Sequence, residues 1–312
     1  MSYQAACFGK LPLMADFIGH NATGPEARQL DQFLQEGIVR AQSRLGEDGW
    51  KEAYEGSGPV RFMFRQQAGR AFTVGVMVPG RDKVGRLFPF MVFTTIDDRT
   101  VRKRPALAPL VLSHFLDQAE LFATGGWQAL EAGDSSALRA QIEALSGQID
   151  PKETSRQLDA RLKSRSASEL WGSALGSPED ERRFILLMNA RSLLDTRSKP
   201  KFGLQVPGGS PDDLAVWLSA ATELRGVDGF PELVTWNLQR GIRMLLVAPG
   251  ADHYRTFFLS VEDKESTCAM ADEGIESAEM LRKARDAFGS LGGDPGLNLA
   301  DLLYKLRRTS LP

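Results

Sequence analysis

The sequence predicts a layered α/β domain built on a mixed β-sheet. Three observations predict it. Between residues 60 and 96 the apolar pattern runs first at period two and then on both faces, as sheet strands require. On either side of that block the apolar spacing changes to three and four, the mark of helices. Short strand-like runs return after residue 202, beyond a long helical middle.

Taken in order, Ala5 to Phe8 is a brief apolar strand stopped by Gly9 and Pro12. Thr23, with Glu26 three residues on and Pro25 in the first turn, reads as a capping box. Ala27, Leu30, Phe33, Leu34, Ile38, Ala41 and Leu45 follow at helical spacing, and Gly46 reads as the stop. Beyond the turn-rich stretch 55–59, Val60, Phe62 and Phe64 alternate with Arg61, Met63 and Arg65. Gln66-Gln67-Ala68-Gly69 reads as a hairpin link to Phe72, Val74, Val76 and Val78, which end at Pro79-Gly80. Leu87 to Ile96 reads as a central strand, with Pro89 near its start where a missing N–H is tolerated.

The middle is helical. Pro105 opens an apolar-periodic stretch through Leu107, Leu110, Val111, Phe115, Leu116 and Ala119. Further amphipathic pieces cover about 134–146, 152–175 and 178–195, the last with Ser177-Pro178 as cap and first turn; polar, basic 161–168 reads as an exposed linker. Phe202 to Val206 is a strand, and Ser210 caps a helix through Leu214, Trp217, Leu218 and Ala221. Leu233 to Leu238 and Ile242 to Val247 read as a hairpin around Gln239-Arg240-Gly241, followed by a short helix over 253–260. A helix over 276–288 and a glycine-rich connection, 289–296, lead to a last amphipathic helix. There Leu299, Leu302, Leu303 and Leu306 form one stripe, expected to dock on the body of the protein as a dispensable element. The chain thus divides into 1–130, a helical insertion 131–200, a completing stretch 201–262 and a C-terminal extension 263–312.

Composition bounds the function. In 312 residues, 38 Lys and Arg face 40 Asp and Glu, a net charge of −2, without the basic excess that nucleic-acid binding requires. Cys7 and Cys268 stand far apart and His20, His114 and His253 share no motif, so neither a metal site nor a disulfide framework is expected. The N-terminus carries no signal features, and no window reaches the ~18 apolar residues that span a bilayer. A cytoplasmic protein without membrane insertion and without cofactor is expected.

The stretch Gly80-Arg81-Asp82-Lys83-Val84-Gly85-Arg86-Leu87 has the glycine spacing of a phosphate-binding loop. Arg86 stands where Lys belongs and Leu87 where a hydroxyl belongs, and strand-like Phe88-Pro89-Phe90 follows instead of a helix. It reads as a sheet-edge loop that binds neither ATP nor GTP. Cys7 reads as core, His114 as a partly buried helix residue, and the pairs Asp97-Asp98 and Asp212-Asp213 as a strand end and a helix first turn. With no catalytic set in view, the expectation is that the chain is not an enzyme.

Two segments are more specific than core packing requires: Gly9-Lys10-Leu11-Pro12 with Asp16-Phe17, and Asp82-x-Val84-Gly85-Arg86-x-Phe88-Pro89. With Gly49-Trp50, the Phe202–Val206 strand, the Trp217 helix and the strand bearing Trp236, they make the chain resemble the TagF family, also called ImpM, accessory proteins of bacterial type VI secretion. The likeness is strongest over 5–95. Ala15 replaces the family's usual Gly, Asn237 replaces a common second aromatic, and no Asp-Gly metal motifs of a fused phosphatase are present. The resemblance implies a three-layer α/β/α sandwich with a mixed sheet, here with extra C-terminal helices. It also implies a regulator that holds type VI assembly in check after translation, through a forkhead-associated scaffold protein. For the two motif segments the residues leave two readings open: turns and ion pairs that shape the sheet, or partner-binding surface. Two other functions compete: an enzyme acting on a nucleotide or phosphoprotein through the Gly80–Gly85 loop, and a structural module at the secretion membrane complex.

Overall fold

The structure, a computed structural model, describes residues 1–65, 71–198, 200–237, 239–261 and 265–311. The chain opens with β1 (Ser2–Tyr3), β2 (Ala6–Gly9), β3 (Ile18–His20) and the long helix α1 (Pro25–Glu55). The alternating segments then become β4 (Val60–Arg65), β5 (Phe72–Val78) and β6 (Phe90–Ile96). The helical middle comprises α2 (Arg99–Lys103), α3 (Leu107–Val111), α4 (Ser113–Thr124), α5 (Ser135–Ala144), α6 (Pro151–Ser164), α7 (Ala167–Leu175) and α8 (Arg182–Leu193). Within it, β7 (Gly147–Gln148) pairs with β1. The third part holds β8 (Gly203–Val206), α9 (Pro211–Arg225), β9 (Leu233–Asn237), β10 (Gly241–Leu245), α10 (Ala251–Phe258) and β11 (Thr267–Ala269). Helices α11 (Ala278–Gly292) and α12 (Leu299–Arg308) follow.

Among the described residues nine strands form one sheet in the order β11-β8-β10-β9-β4-β5-β6-β2-β3. Every neighbouring pair is antiparallel except β11 and β8, so the sheet is mixed. Period-two alternation divides the strands between two cores. Cys7, Val74, Val76, Val92, Val234 and Met244 point toward the core shared with α2–α9, α11 and α12. Phe62, Phe64, Met77, Met91 and Phe93 point the other way, onto α1 and α10. Helices therefore cover both faces, and the α/β class with its three layers is observed. Both sides of β5 are buried throughout, Phe72, Val74, Val76 and Val78 on one and Thr73, Gly75 and Met77 on the other.

Several expectations need correction. Gly24, not Thr23, precedes the first turn of α1, because Pro25 fixes N1 and the cap is the extended residue before it. Gly46, at φ 71°, kinks α1 without ending it, since Trp50, Ala53 and Tyr54 bury a second apolar stretch beyond. Leu87–Pro89 lie outside β6, and the helix expected from Pro105 is instead divided into α3 and α4. Ser177-Pro178 form a turn ahead of α8, whose cap position is Glu181. The supposed linker at 161–168 ends α6 and caps α7 through a Ser166–Glu169 capping box, with Leu162 and Ala167 buried. His114 is exposed, and α11 runs on through Gly292 across much of the supposed flexible connection. The hairpin link at Gln66–Gly69 and the strand end at Leu238 lie outside the described residues. All four α12 leucines pack into the larger core, as the stripe predicts. Among the described residues no helix is long and apolar enough to cross a membrane.

Candidate functional site

The two motif segments meet beside β2 and β6. Gly9 ends β2 at φ 130°, and a Cβ there would lie 1.9 Å from the Pro89 carbonyl oxygen, so only glycine allows this approach. At Gly80 a Cβ would lie 2.4 Å from the Lys10 carbonyl oxygen and 2.5 Å from that of Phe88. The kinked end of α1 delivers Tyr54, whose Oη accepts the Gly80 N–H at 2.6 Å and donates to the Gly80 carbonyl at 2.8 Å. Burial pushes the Tyr54 phenol well above its ordinary range, which keeps that proton in place.

Asp82 is the centre of the arrangement. Its fully buried carboxylate takes the Lys10 ammonium at 3.0 Å and the Arg86 Nε at 2.7 Å. It also accepts the backbone N–H groups of Val84 at 3.1 Å and Arg86 at 2.9 Å. Burial alone would raise its pKa, but the Arg86 N–H, Lys10 and the Arg86 guanidinium together hold it well below the usual carboxylate range. Arg86 extends the weld by donating from Nη2 to the Ala15 carbonyl at 2.6 Å, and the Lys83 N–H reaches the Met14 carbonyl at 2.8 Å. Two loops some seventy positions apart in sequence are thereby fixed as one rim.

The loop amides that would cradle a phosphate are committed elsewhere. Gly80 serves Tyr54, Asp82 the Arg86 carbonyl, Lys83 Met14, Gly85 the Asp82 carbonyl, and Val84 and Arg86 the Asp82 side chain. In effect Asp82 is the anion in the nest, supplied by the chain itself. No helix follows the loop; an Arg81–Leu87 bridge closes it before β6 begins.

On this base sits an aromatic group. Phe17 stacks on Phe8 with centroids 5.5 Å apart and meets Phe88 edge-on at 4.9 Å, while the Lys10 Nζ lies 4.8 Å from the Phe17 centroid. Phe17 nevertheless stays 45% exposed, and Val84 at the loop tip is 68% exposed. Of the motif residues, Gly9, Lys10, Asp82, Val84, Gly85, Arg86, Phe88, Pro89 and Phe17 are gathered here, with Leu11 and Pro12 in the turn between Lys10 and Met14. Asp16 is exposed and accepts the Phe17 N–H at 2.8 Å, taking no part in the ion cluster. Trp236 is not brought here: it is buried on β9, with β4 and β5 between it and β6. Tyr54 and Phe8 escape the sequence reading, since the helix is read as stopping at Gly46 and Phe8 as part of a short apolar strand.

The remaining chemistry-bearing residues stay apart. Burial pushes the Cys7 thiol up to about 12 and the Cys268 thiol up to about 11, where neither is a ready nucleophile. Among the described residues no three His, Cys, Asp or Glu side chains gather closely enough to hold a metal ion.

The rim falls within the stretch that matches a known family: residues 6–162 match the TagF N-terminal domain, described as type VI secretion system-associated. The chain belongs to the TagF family. This TagF chain is also similar to the crystal structure of PA0076 from Pseudomonas aeruginosa PAO1, at 23% identity and a TM-score of 0.39. That likeness covers 46% of this chain and 64% of PA0076, just under two thirds of its length. No curated protein matches the chain. The family stretch contains every rim residue but ends before α7, so Trp236 and the edge strand β11 lie beyond it.

Proposed function

We propose that this TagF chain is a cytoplasmic, non-enzymatic regulator that represses type VI secretion after translation by binding a forkhead-associated scaffold protein. The observation that carries this reading is the rim. A buried ion cluster, two sterically required glycines and a tyrosine clamp hold an exposed phenylalanine and an exposed valine in fixed positions. A rigid, partly apolar protrusion suits recognition of a protein surface, because little side-chain freedom is lost on contact. The competing nucleotide reading requires free loop amides, and those of Gly80, Asp82, Lys83, Val84 and Gly85 already have internal acceptors.

Two measurements test the proposal. Deleting the chain should raise type VI secretion and restoring it should lower secretion; abolished secretion on deletion would instead make it an assembly component at the membrane complex. The purified protein should capture the scaffold protein of its own secretion system. ATP and GTP should leave its melting temperature unmoved, and a stabilising shift with either nucleotide would favour the competing nucleotide reading over the non-enzymatic one.

A further inference from the structure

We infer that the Phe17 face of the rim is a docking surface for an acidic protein segment that presents an apolar side chain. The inference rests on the regulatory reading above and deepens it by naming the surface and the chemistry of its partner. Three observations carry it.

The first is preorganisation. Phe17 is held by Phe8, Phe88 and the Lys10 ammonium before any partner arrives, yet nearly half of its surface remains in water. Exposed aromatic side chains held rigidly are the usual anchors of interfaces, since they bring large contact area at small entropic cost. The second is continuity. Val84 lies beside Lys83, which bonds Met14, and Arg86 bonds Ala15, so the two exposed apolar residues belong to adjoining loops of one rigid unit.

The third is charge. Arg81, Lys83 and Arg86 are exposed on the same short loop. Asp82 is internal and already neutralised by Lys10 and Arg86, which leaves Asp16 as the exposed carboxylate of the two segments. The two segments together carry Lys10, Arg81, Lys83 and Arg86 against Asp16 and Asp82, a local positive excess on a chain whose net charge is −2. Glu55 lies beside Arg81, and Glu131 and Asp134 flank Gly133, which bonds Leu13. Charge selects the occupant. A second copy docking rim to rim would set Arg81, Lys83 and Arg86 against their own images. A bilayer would find two apolar side chains and no amphipathic helix to bury. A protein segment with carboxylates flanking an aliphatic or aromatic residue satisfies both the cations and the phenylalanine.

The test measures binding of the full-length chain to the forkhead-associated scaffold protein at low and moderate salt. The variants are Phe17→Ser, the double charge reversal Arg81→Glu/Lys83→Glu, and Leu121→Ser, which alters a 66% exposed leucine on α4 as a control. Phe17→Ser and the charge reversal should each weaken binding by about tenfold or more, while Leu121→Ser should bind as wild type does. Affinity should fall as salt rises. Melting temperatures report folding for each variant, and the charge reversal alters exposed side chains only, so it keeps the test decisive if Phe17→Ser destabilises. Wild-type binding that survives both rim changes overturns this inference and leaves the regulatory reading standing. No wild-type binding overturns the scaffold reading and this inference together. Phe17-dependent binding to phosphatidylglycerol vesicles, or Phe17-dependent self-association, assigns the face to another occupant and overturns the inference.

Discussion

The rim around Asp82 joins strands of the sheet while the C-terminal helices α11 and α12 pack on other helices, and the two are held by opposite physics. At the rim, a carboxylate with no solvent exposure is shared by an ammonium, a guanidinium and two amides, and glycines stand where backbones nearly touch. In α12, four leucines at i, i+3, i+4 and i+7 are buried against neighbouring helices, while Lys305, Arg307 and Arg308 complement the helix C-terminus. Charge and glycine fix geometry, and at Gly9 and Gly80 the backbone leaves no room for a side chain. Leucine packing supplies stability and tolerates repacking. A surface that must keep one shape is better built the first way, and an element that only adds stability the second.

That contrast breaks most sharply at Gly9. Gly9→Ala introduces a 1.9 Å contact with the Pro89 carbonyl at a φ of 130°, and should cost about 3 kcal/mol or more. Chemical denaturation measures it, and a nearly neutral result would mean that the rim yields as easily as a leucine core. Leu302→Ala in α12, where the side chain is 2% exposed, should cost about 2–4 kcal/mol. Its cost should be insensitive to salt and pH, whereas any strong salt dependence would blur the distinction between the regions.

Asp82→Asn sharpens the comparison through pH. The folded-state pKa of Asp82 is depressed, so its contribution is present above the unfolded carboxylate pKa of about 4 and is lost as pH falls toward the folded value. The variant should melt several degrees below wild type at neutral pH, and the gap should narrow as the solution is acidified below that range. A gap that widens in acid contradicts the sign. The smallest effect is expected at Glu143, half exposed and 2.8 Å from His20 Nε2, where an ion pair near water contributes little. Glu143→Gln should change stability by about 1 kcal/mol or less, measured by thermal melting at pH 6.

How far the sequence reveals these features depends on how local their causes are. The strands β4, β5 and β6 are legible because side-chain alternation needs only a few adjacent residues. The α12 stripe and Ser210 as the cap of α9 are legible for the same reason. Gly46 misleads as a helix stop, because α1 continues past its kink where Trp50 and Tyr54 are buried beyond it. The basic run at 161–168 misleads because its charges face water while Leu162 and Ala167 turn inward. Three-residue β11 gives no pattern of its own and exists by pairing with β8. At the rim, Gly9, Lys10, Asp82 and Arg86 stand out as odd residues in strand-end turns. That Lys10 and Arg86 share one carboxylate, and that Tyr54 clamps Gly80, are contacts between distant positions that no local pattern encodes.

The strand order carries a practical warning for anyone trimming this protein. The family stretch 6–162 keeps β3, β2, β6, β5 and β4 as neighbours but leaves β9 behind. In the whole chain β9 covers the outer edge of β4, matching Arg61 to Trp236 and Phe64 to Leu233, and α10 seals the apolar side of α1 with Tyr254, Phe257 and Phe258. A fragment cut at 162 would present Val-Arg-Phe-Met-Phe-Arg as an unguarded edge beside an uncovered helix. Such an edge is a template for intermolecular strand addition. The excised piece is therefore expected to precipitate where the full-length chain stays dispersed, and bait or crystallisation fragments should extend at least through α10.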